Sequence, residues 1–229
     1  MVPFSFAGHE MRLLPSGALY WPGERALLVA DLHLEKGSFF ARFGQMLPPY
    51  DSRETLERLA LAIGQTGARR VLCLGDSFHD AGGADRLEPY AAGMLAALTR
   101  AVDWVWITGN HDADVIPREG GARYDELELG GIALRHAARA GETGLELSGH
   151  FHPRLKLNLR GRRIVRPCTV ASESRLILPA FGAFTGGMDA ADPAILSAMQ
   201  PARQIRALLP ASGKLVEFPL WQAGGRPSL

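Results

Sequence analysis

Cysteine is scarce: 229 residues contain two, too few for a disulfide framework. One of them, Cys73, lies in the apolar run VLCLG and reads as a small buried hydrophobe. Charge of one sign is lacking too. Lys and Arg number 25 against 24 Asp and Glu, for a formal net charge of +1. No bulk field therefore draws the chain to nucleic acid or membrane, although a local site can still bind phosphate. No apolar run approaches the ~20 residues of a membrane helix. The first residues, MVPFSFAGHEMRL, have neither a basic stretch nor a long apolar one, so no secretory leader is read there. A cytoplasmic protein with no membrane contact is expected. Repeats, low-complexity linkers and long charge runs are missing as well, so one domain over residues 1–229 is expected.

What is present is an ordinary globular composition, 47% hydrophobic. Short β-type runs lie near residues 11–14, 18–21, 26–30, 70–74, 103–108, 126–129, 131–135, 145–148, 154–159, 163–166, 175–178 and 214–218. A helix is expected after Asp51, where Asp51-Ser52-Arg53-Glu54 resembles a capping box, and continues through Leu56, Leu59, Leu61 and Ile63. A second is expected over about 85–99. Early strands alternate with helices and later ones follow each other through tight turns, which predicts a mixed sheet or two packed sheets flanked by helices. Segment 35–50 fits no period and is expected to be an irregular loop.

The chemistry lies at the ends of the apolar runs. LLVADLHL (27–34) closes on Asp31 and His33, and in extended chain alternate side chains point the same way. VLCL is followed by Gly75-Asp76-Ser77-Phe78-His79-Asp80, WVWIT by Gly109-Asn110-His111-Asp112, IALR by His136, and LELS by Gly149-His150-Phe151-His152. Of the seven histidines only His9 stands outside these endings. Each ending alone could be a hydrogen-bonding pair or a turn. Together they suit a two-cation site, which needs a bridging carboxylate and anionic charge. Imidazole, carboxylate and amide oxygen fit Mn, Fe or Zn better than Ca.

The ordered set DLH, GD, GNHD, H and GHFH, across residues 31–152, strongly resembles the calcineurin-like binuclear metallophosphoesterases. The resemblance implies an α/β fold, a four-layer αββα sandwich of two mixed sheets with helices outside. It implies two divalent metal ions, Mn first and Fe or Zn as alternatives. Asp31, His33 and His152 would hold one, Asn110, His136 and His150 the other, and Asp76 would bridge them. His111 would be the histidine beside the substrate phosphate that holds no metal, donating a hydrogen bond or a proton while a metal-bridging hydroxide attacks. The family's fourth motif is often His-Gly-His and here reads His136-Ala137-Ala138, keeping the ligand position. LHLEKGSFFARFGQMLPPYDS, CLGDSFHD and LILPAFGAFTGG (176–187) further resemble the ligase-associated DNA damage response endonucleases, the PdeM subgroup. That implies a DNA partner, single-stranded, and a link to an ATP-dependent DNA ligase, an exonuclease and a helicase.

Outside the shared motifs, His79 is expected to face the cleft and contact the scissile phosphate; the bland alternative is that it orders its loop through Asp80 or backbone. Arg42 and the Arg160, Arg162, Arg163, Arg166 cluster are candidate phosphate contacts or solvated side chains. Phe39, Phe40 and Phe43 would stack on unpaired bases or anchor their loop. Phe181 and Phe184 would be core or interface. Other readings stay open: a small-molecule, cyclic-nucleotide or lipid-linked phosphodiesterase or pyrophosphatase of the same superfamily, and a non-catalytic scaffold. UDP-diacylglucosamine hydrolases commonly carry Arg where this chain has His111, and scaffolds usually lose ligands.

Overall fold

Every residue of Ala26–Val29 is buried, and burial divides by parity. Leu28 joins one apolar cluster and Leu27 and Val29 another. Such a strand is covered on both faces. The computed structural model describes residues 1–48, 50–112, 120–159 and 161–224, and it extends this pattern to two sheets. The elements run β1 (Val2–Phe6), β2 (His9–Leu13), β3 (Leu19–Trp21), β4 (Ala26–Val29), α1 (Lys36–Ala41), α2 (Asp51–Thr66), β5 (Arg70–Leu74), α3 (Gly83–Arg86), α4 (Pro89–Ala101), β6 (Asp103–Ile107) and β7 (Ala122–Tyr124). They continue with β8 (Leu127–Leu129), β9 (Ile132–Leu134), β10 (Glu146–Ser148), β11 (Arg154–Leu159), β12 (Arg162–Pro167), β13 (Thr169–Ala171), β14 (Arg175–Ile177), α5 (Pro193–Ala198), β15 (Gln204–Ala211) and β16 (Lys214–Gln222).

The first sheet has the order β1-β2-β3-β4-β5-β6-β7, antiparallel up to β4 and parallel from β4 on. The second has the order β16-β15-β13-β14-β10-β9-β8, with β9, β10 and β14 parallel. Strands β11 and β12 form a separate hairpin. Leu28, Leu72 and Leu74 meet Leu134, Leu147 and Leu176 between the sheets. Leu56, Leu59 and Leu95 of α2 and α4 cover the outer face of the first sheet, over Leu27, Val71 and Cys73. Ile195 of α5 covers the second, against Val170 and Ile177. This is the four-layer αββα arrangement expected. Each fully buried leucine is worth about 1.5–3 kcal/mol. An exposed pair such as Arg70–Asp103 (2.7 Å) gives about 0–1 kcal/mol. Apolar patterning, not surface charge, fixes the layers.

Several local expectations are corrected. Segment 35–50 contains α1. Helix α2 begins at Asp51, but no capping box forms: Tyr50 is the cap residue, at φ 76°, without a side-chain bond. The Asp51 carboxylate instead accepts from the Gly37 N–H (2.9 Å). Helix α4 starts at Pro89, not 85, because the Glu88 carboxylate accepts from the Tyr90 and Ala91 N–H groups. Strands β1, β7, β13 and β15 and helix α5 were not legible from periodicity. β7 is exposed throughout, and β13 is three residues, all buried. Among the described residues no helix is long and apolar enough to cross a membrane.

Candidate metal centre

Strands β4, β5 and β6 run parallel in one sheet, β9 and β10 in the other. Their carboxyl ends open at one end of the sandwich, and there the polar endings converge. Asp31, His33, Asp76, His79 and His136 are buried, with Asp31 at 0% and Asp76 at 2% exposure. Asn110, His111 and His150 are exposed and His152 half-buried. Carboxylates thus form the floor, and imidazoles with one amide form the rim.

The convergence does not come from extended chain. Asp31, His33 and Glu35 have φ of 54°, 43° and 64°, and His150 and His152 have 73° and 49°. Positive φ at a residue with a side chain costs on the order of 1–3 kcal/mol and collects at functional sites. The backbone curls at every second residue, and both ligand-type pairs use the same curl. Hydrogen bonds hold it. The Asp31 N–H donates to the Gly75 carbonyl (3.2 Å) and the His33 N–H to the Asp76 carbonyl (2.9 Å). The Phe181 N–H donates to the Ala30 carbonyl (2.8 Å), and the Gly182 N–H to the Asp31 carbonyl (3.1 Å).

Two groups of ligand-type atoms form, each within 4.8 Å: Asp31 with His33 and His152, and Asp76 with His136 and His150. The Nε2 atoms of His33 and His152 are 3.2 Å apart. His150 Nδ1 is 3.0 Å from His136 Nε2, and Asn110 Oδ1 is 2.9 Å from the same atom. Asp76 lies between the groups: its Oδ2 is 3.4 Å from His136 Nε2 and 3.9 Å from His33 Nε2. A third group, His33 with His79 and His111, contains no carboxylate. Mixed imidazole and carboxylate donors around a shared acid suit borderline divalent cations. The residues present therefore fit a two-cation centre.

Backbone contacts orient the donors. The His136 Nδ1–H donates to the Leu74 carbonyl (3.2 Å), turning Nε2 toward Asp76. Such a partner sets the tautomer of a metal-facing imidazole. The His111 Nδ1–H donates to the His79 carbonyl (2.8 Å), leaving Nε2 4.0 Å from Asp76 Oδ2. Burial and the neighbouring His152 pull the His33 pKa down to about 2. Burial, His111 and Lys36 bring His79 down to about 4. Burial opposes charge on His136, but the Asp76 and Asp31 carboxylates outweigh it and raise its pKa. Burial likewise opposes charge on Asp76, and the hydrogen bond and charge of His136, the His111 N–H and His33 together outweigh it and lower that pKa.

His79 faces His33, with Nδ1 atoms 3.4 Å apart, and stacks on His111 at 5.3 Å and 23°. It does not bond Asp80, which pairs with Arg86 and Arg42. Phe39 and Phe40 touch His79 (4.8 and 5.4 Å), and Phe39 touches Phe43, which is 66% exposed. Phe181 is core, while Phe184 is 45% exposed. Arg162, Arg163 and Arg166 are exposed; Arg160 lies outside the described residues. Three supports escaped the sequence reading. Asp112 accepts from the Ser77, Phe78 and Gly109 N–H groups (2.6, 3.2 and 2.8 Å), joining the loops of β5 and β6. Ser52 donates to Glu35 (2.8 Å) behind the first loop. Thr55 accepts from the Ala183 N–H (2.9 Å). The Asp closing GNHD was the visible signal for the first.

Gly109 is required by space. A Cβ there would lie 2.1 Å from Asp76 Oδ1 and 2.2 Å from its backbone nitrogen. Gly109→Ala is expected to lower stability by at least about 1–3 kcal/mol. On α4, Gly93 has nothing within 4 Å of such a Cβ, and Gly93→Ala should stabilise by about 0.5–1 kcal/mol. Urea midpoints of the two variants should move in opposite directions; equal shifts would contradict the packing argument.

The family model for calcineurin-like phosphoesterases matches residues 24–167. Among solved structures, the chain is similar to the nuclease MPE of Pseudomonas putida, at 31% identity over 95% of this chain and 98% of that one, TM-score 0.72. It is more distantly similar to a protein of unknown function from Aquifex aeolicus (18% identity, 56% and 78% covered, TM-score 0.41). A third is Yfce, a phosphoesterase from E. coli (13% identity, 86% and 99% covered, TM-score 0.39). No curated protein matches the chain.

Proposed function

The chain belongs to the calcineurin-like phosphoesterases and is a metal-dependent hydrolase, and from that premise we propose that it is a phosphodiesterase cutting single-stranded DNA internally. The observation that carries the nuclease reading is its likeness, across nearly the whole chain, to the nuclease from Pseudomonas putida. The aromatic run from buried His79 through half-buried Phe39 to exposed Phe43 leads from the centre to the surface and supports unpaired bases, because stacking needs a free base face. The segments shared with the ligase-associated endonucleases support a repair setting, beside a ligase, exonuclease and helicase. One of them, 176–187, braces the loop of Asp31.

In this reading Asp31, His33 and His152 hold one cation, Asn110, His136 and His150 the other, and Asp76 belongs to both. Manganese is the first candidate. Divalent cations in such a centre lower the pKa of water and polarise phosphoryl oxygens. The chain's own residues do the rest. The buried carboxylates supply the negative charge that keeps cations in place. His111, its Nδ1–H fixed on the His79 carbonyl, presents Nε2 at the rim, where as the imidazolium it would donate to a phosphoryl oxygen or to the leaving oxygen. His79, neutral at pH 7 by its lowered pKa, offers an N–H beside it.

The test pairs a circular single-stranded DNA with a small chromogenic phosphodiester, using metal-stripped protein and added manganese. Linearisation of the circle supports the endonuclease. Cleavage of the small diester alone moves the substrate to the small-molecule or cyclic-nucleotide class. His111→Ala should slow turnover about 10²–10⁴-fold with manganese content unchanged. Equal loss of metal would place His111 among the ligands, as its grouping with His33 and His79 allows.

A further inference from the structure

A second recess opens at the same end of the sandwich. Register places it there. Leu19 pairs with Leu28, so the β2–β3 turn at Ser16 and Gly17 lies at the strand ends. Ile177 pairs with both Ser148 and Val170, so Pro179 and Cys168 lie there too. The recess encloses about 330 Å³. Segment 180–185 forms one wall, and its glycine Gly182 sits against the Leu32 carbonyl of the metal-facing loop.

Three guanidinium groups line it: Arg58 from α2, Arg154 at the start of β11 and Arg166 from β12. Among the described lining residues the one carboxylate is Glu54. Arg58 is half-buried over the Phe181 ring (4.8 Å), and its one hydrogen bond among the described residues is to the Ser16 carbonyl (3.1 Å). The buried Nε of Arg154 has no hydrogen-bond partner among the described residues. Arg166 donates to the neighbouring Val165 carbonyl (3.1 Å). Burial lowers the Arg58 pKa more than Glu54 raises it. Buried Arg135, whose Nε is likewise unpaired, differs in having carboxylates on its other nitrogens: Glu126, Glu142 and Glu146 lie at 2.6–3.0 Å. Cations taken partly out of water call for an anion, and guanidinium forks match phosphate oxygens.

We propose that this recess is a subsite for a backbone phosphate of the nucleic-acid substrate, on the His152 side of the scissile phosphate. The assignment rests on the nucleic-acid reading above and extends it to substrate path. Only Pro153 separates His152 from Arg154, so their backbones are at most about 7 Å apart and one strand can reach both places. A detached phosphate would use the same chemistry but would not change oligonucleotide cleavage.

The test is the salt dependence of kcat/KM on an oligothymidylate with manganese, beside the small diester. Each cation–phosphate contact on a single strand contributes about 0.7 to the slope of log affinity against log salt. Arg154→Gln with Arg166→Gln should flatten that slope by about 1.4 and cost on the order of tenfold more on oligothymidylate than on the small diester. Arg166→Gln alone, an exposed site, should give about half the slope change and guards against misfolding. Arg70→Gln with Arg100→Gln removes equal charge at the opposite end and should shift the slope far less. Equal shifts in both double variants, or none, would overturn the subsite while leaving the nuclease reading standing. Wild-type protein that cuts the diester but no oligothymidylate would sink the nucleic-acid reading and the subsite with it.

Discussion

Asp76→Ala should lose at least about 10³-fold in phosphodiester hydrolysis, a barrier increase of about 4 kcal/mol. Asp76 is the acid between the two donor groups, 3.4 Å from His136 and 3.9 Å from His33, and its Oδ1 also accepts from the His111 N–H (2.9 Å). One substitution therefore strips a carboxylate from both proposed cation positions and frees the backbone that carries His111. Losing one transition-state donor typically costs 10²–10³-fold; this change removes more than one contribution. Metal content per chain should fall in parallel, measured by elemental analysis after gel filtration. Retained metal with retained rate would refute the bridging role. Retained metal with lost rate would leave Asp76 a part in the reaction but not in binding.

Arg175→Met is expected to be the most damaging change to stability away from the centre. Arg175 is 0% exposed. Its guanidinium donates to the carbonyls of Arg139 (2.8 Å), Glu142 and Gln200, and its Nε is 3.9 Å from Glu146. It thus pins the loop after His136 to the segment after α5. Methionine keeps much of the apolar volume but abandons three carbonyls and leaves Glu146 with Arg135 alone (3.0 Å). Removing one partner of a buried charged network costs about 3–5 kcal/mol. In a chain of this size that lowers Tm by on the order of 10 °C. A loss below about 1 kcal/mol in urea unfolding would mean that water satisfies those carbonyls.

Much of the centre was legible because its chemistry is written locally. An apolar run followed by Asp-x-His or His-x-His carries its own signal, and parallel strands bring such endings to one edge. The backbone that aims those side chains was not legible. Nothing in DLH announces two left-handed residues around a leucine; the Gly182 and Gly75 contacts that hold them come from elsewhere in the chain. Asp51 shows the same limit. Its sequence suits a helix cap, yet the Gly37 N–H takes its carboxylate, since tertiary contacts outbid local preference. The arginine recess is the extreme case, built from residues 58, 154 and 166, whose neighbourhood exists only once both sheets and the hairpin are in place.

The meeting of His33 with His152 joins positions 119 apart in sequence. Cys73 and Cys168, both buried and unpaired, provide no covalent fastening. A cation held by Asp31, His33 and His152 would close a loop of that size. In the chain-entropy picture used for disulfides, such a closure takes roughly 4–5 kcal/mol from the unfolded ensemble. The centre would then serve as a reversible cross-link between the two sheets, and a chelator would act on this protein's unfolding as a reductant acts on a disulfide-bonded one.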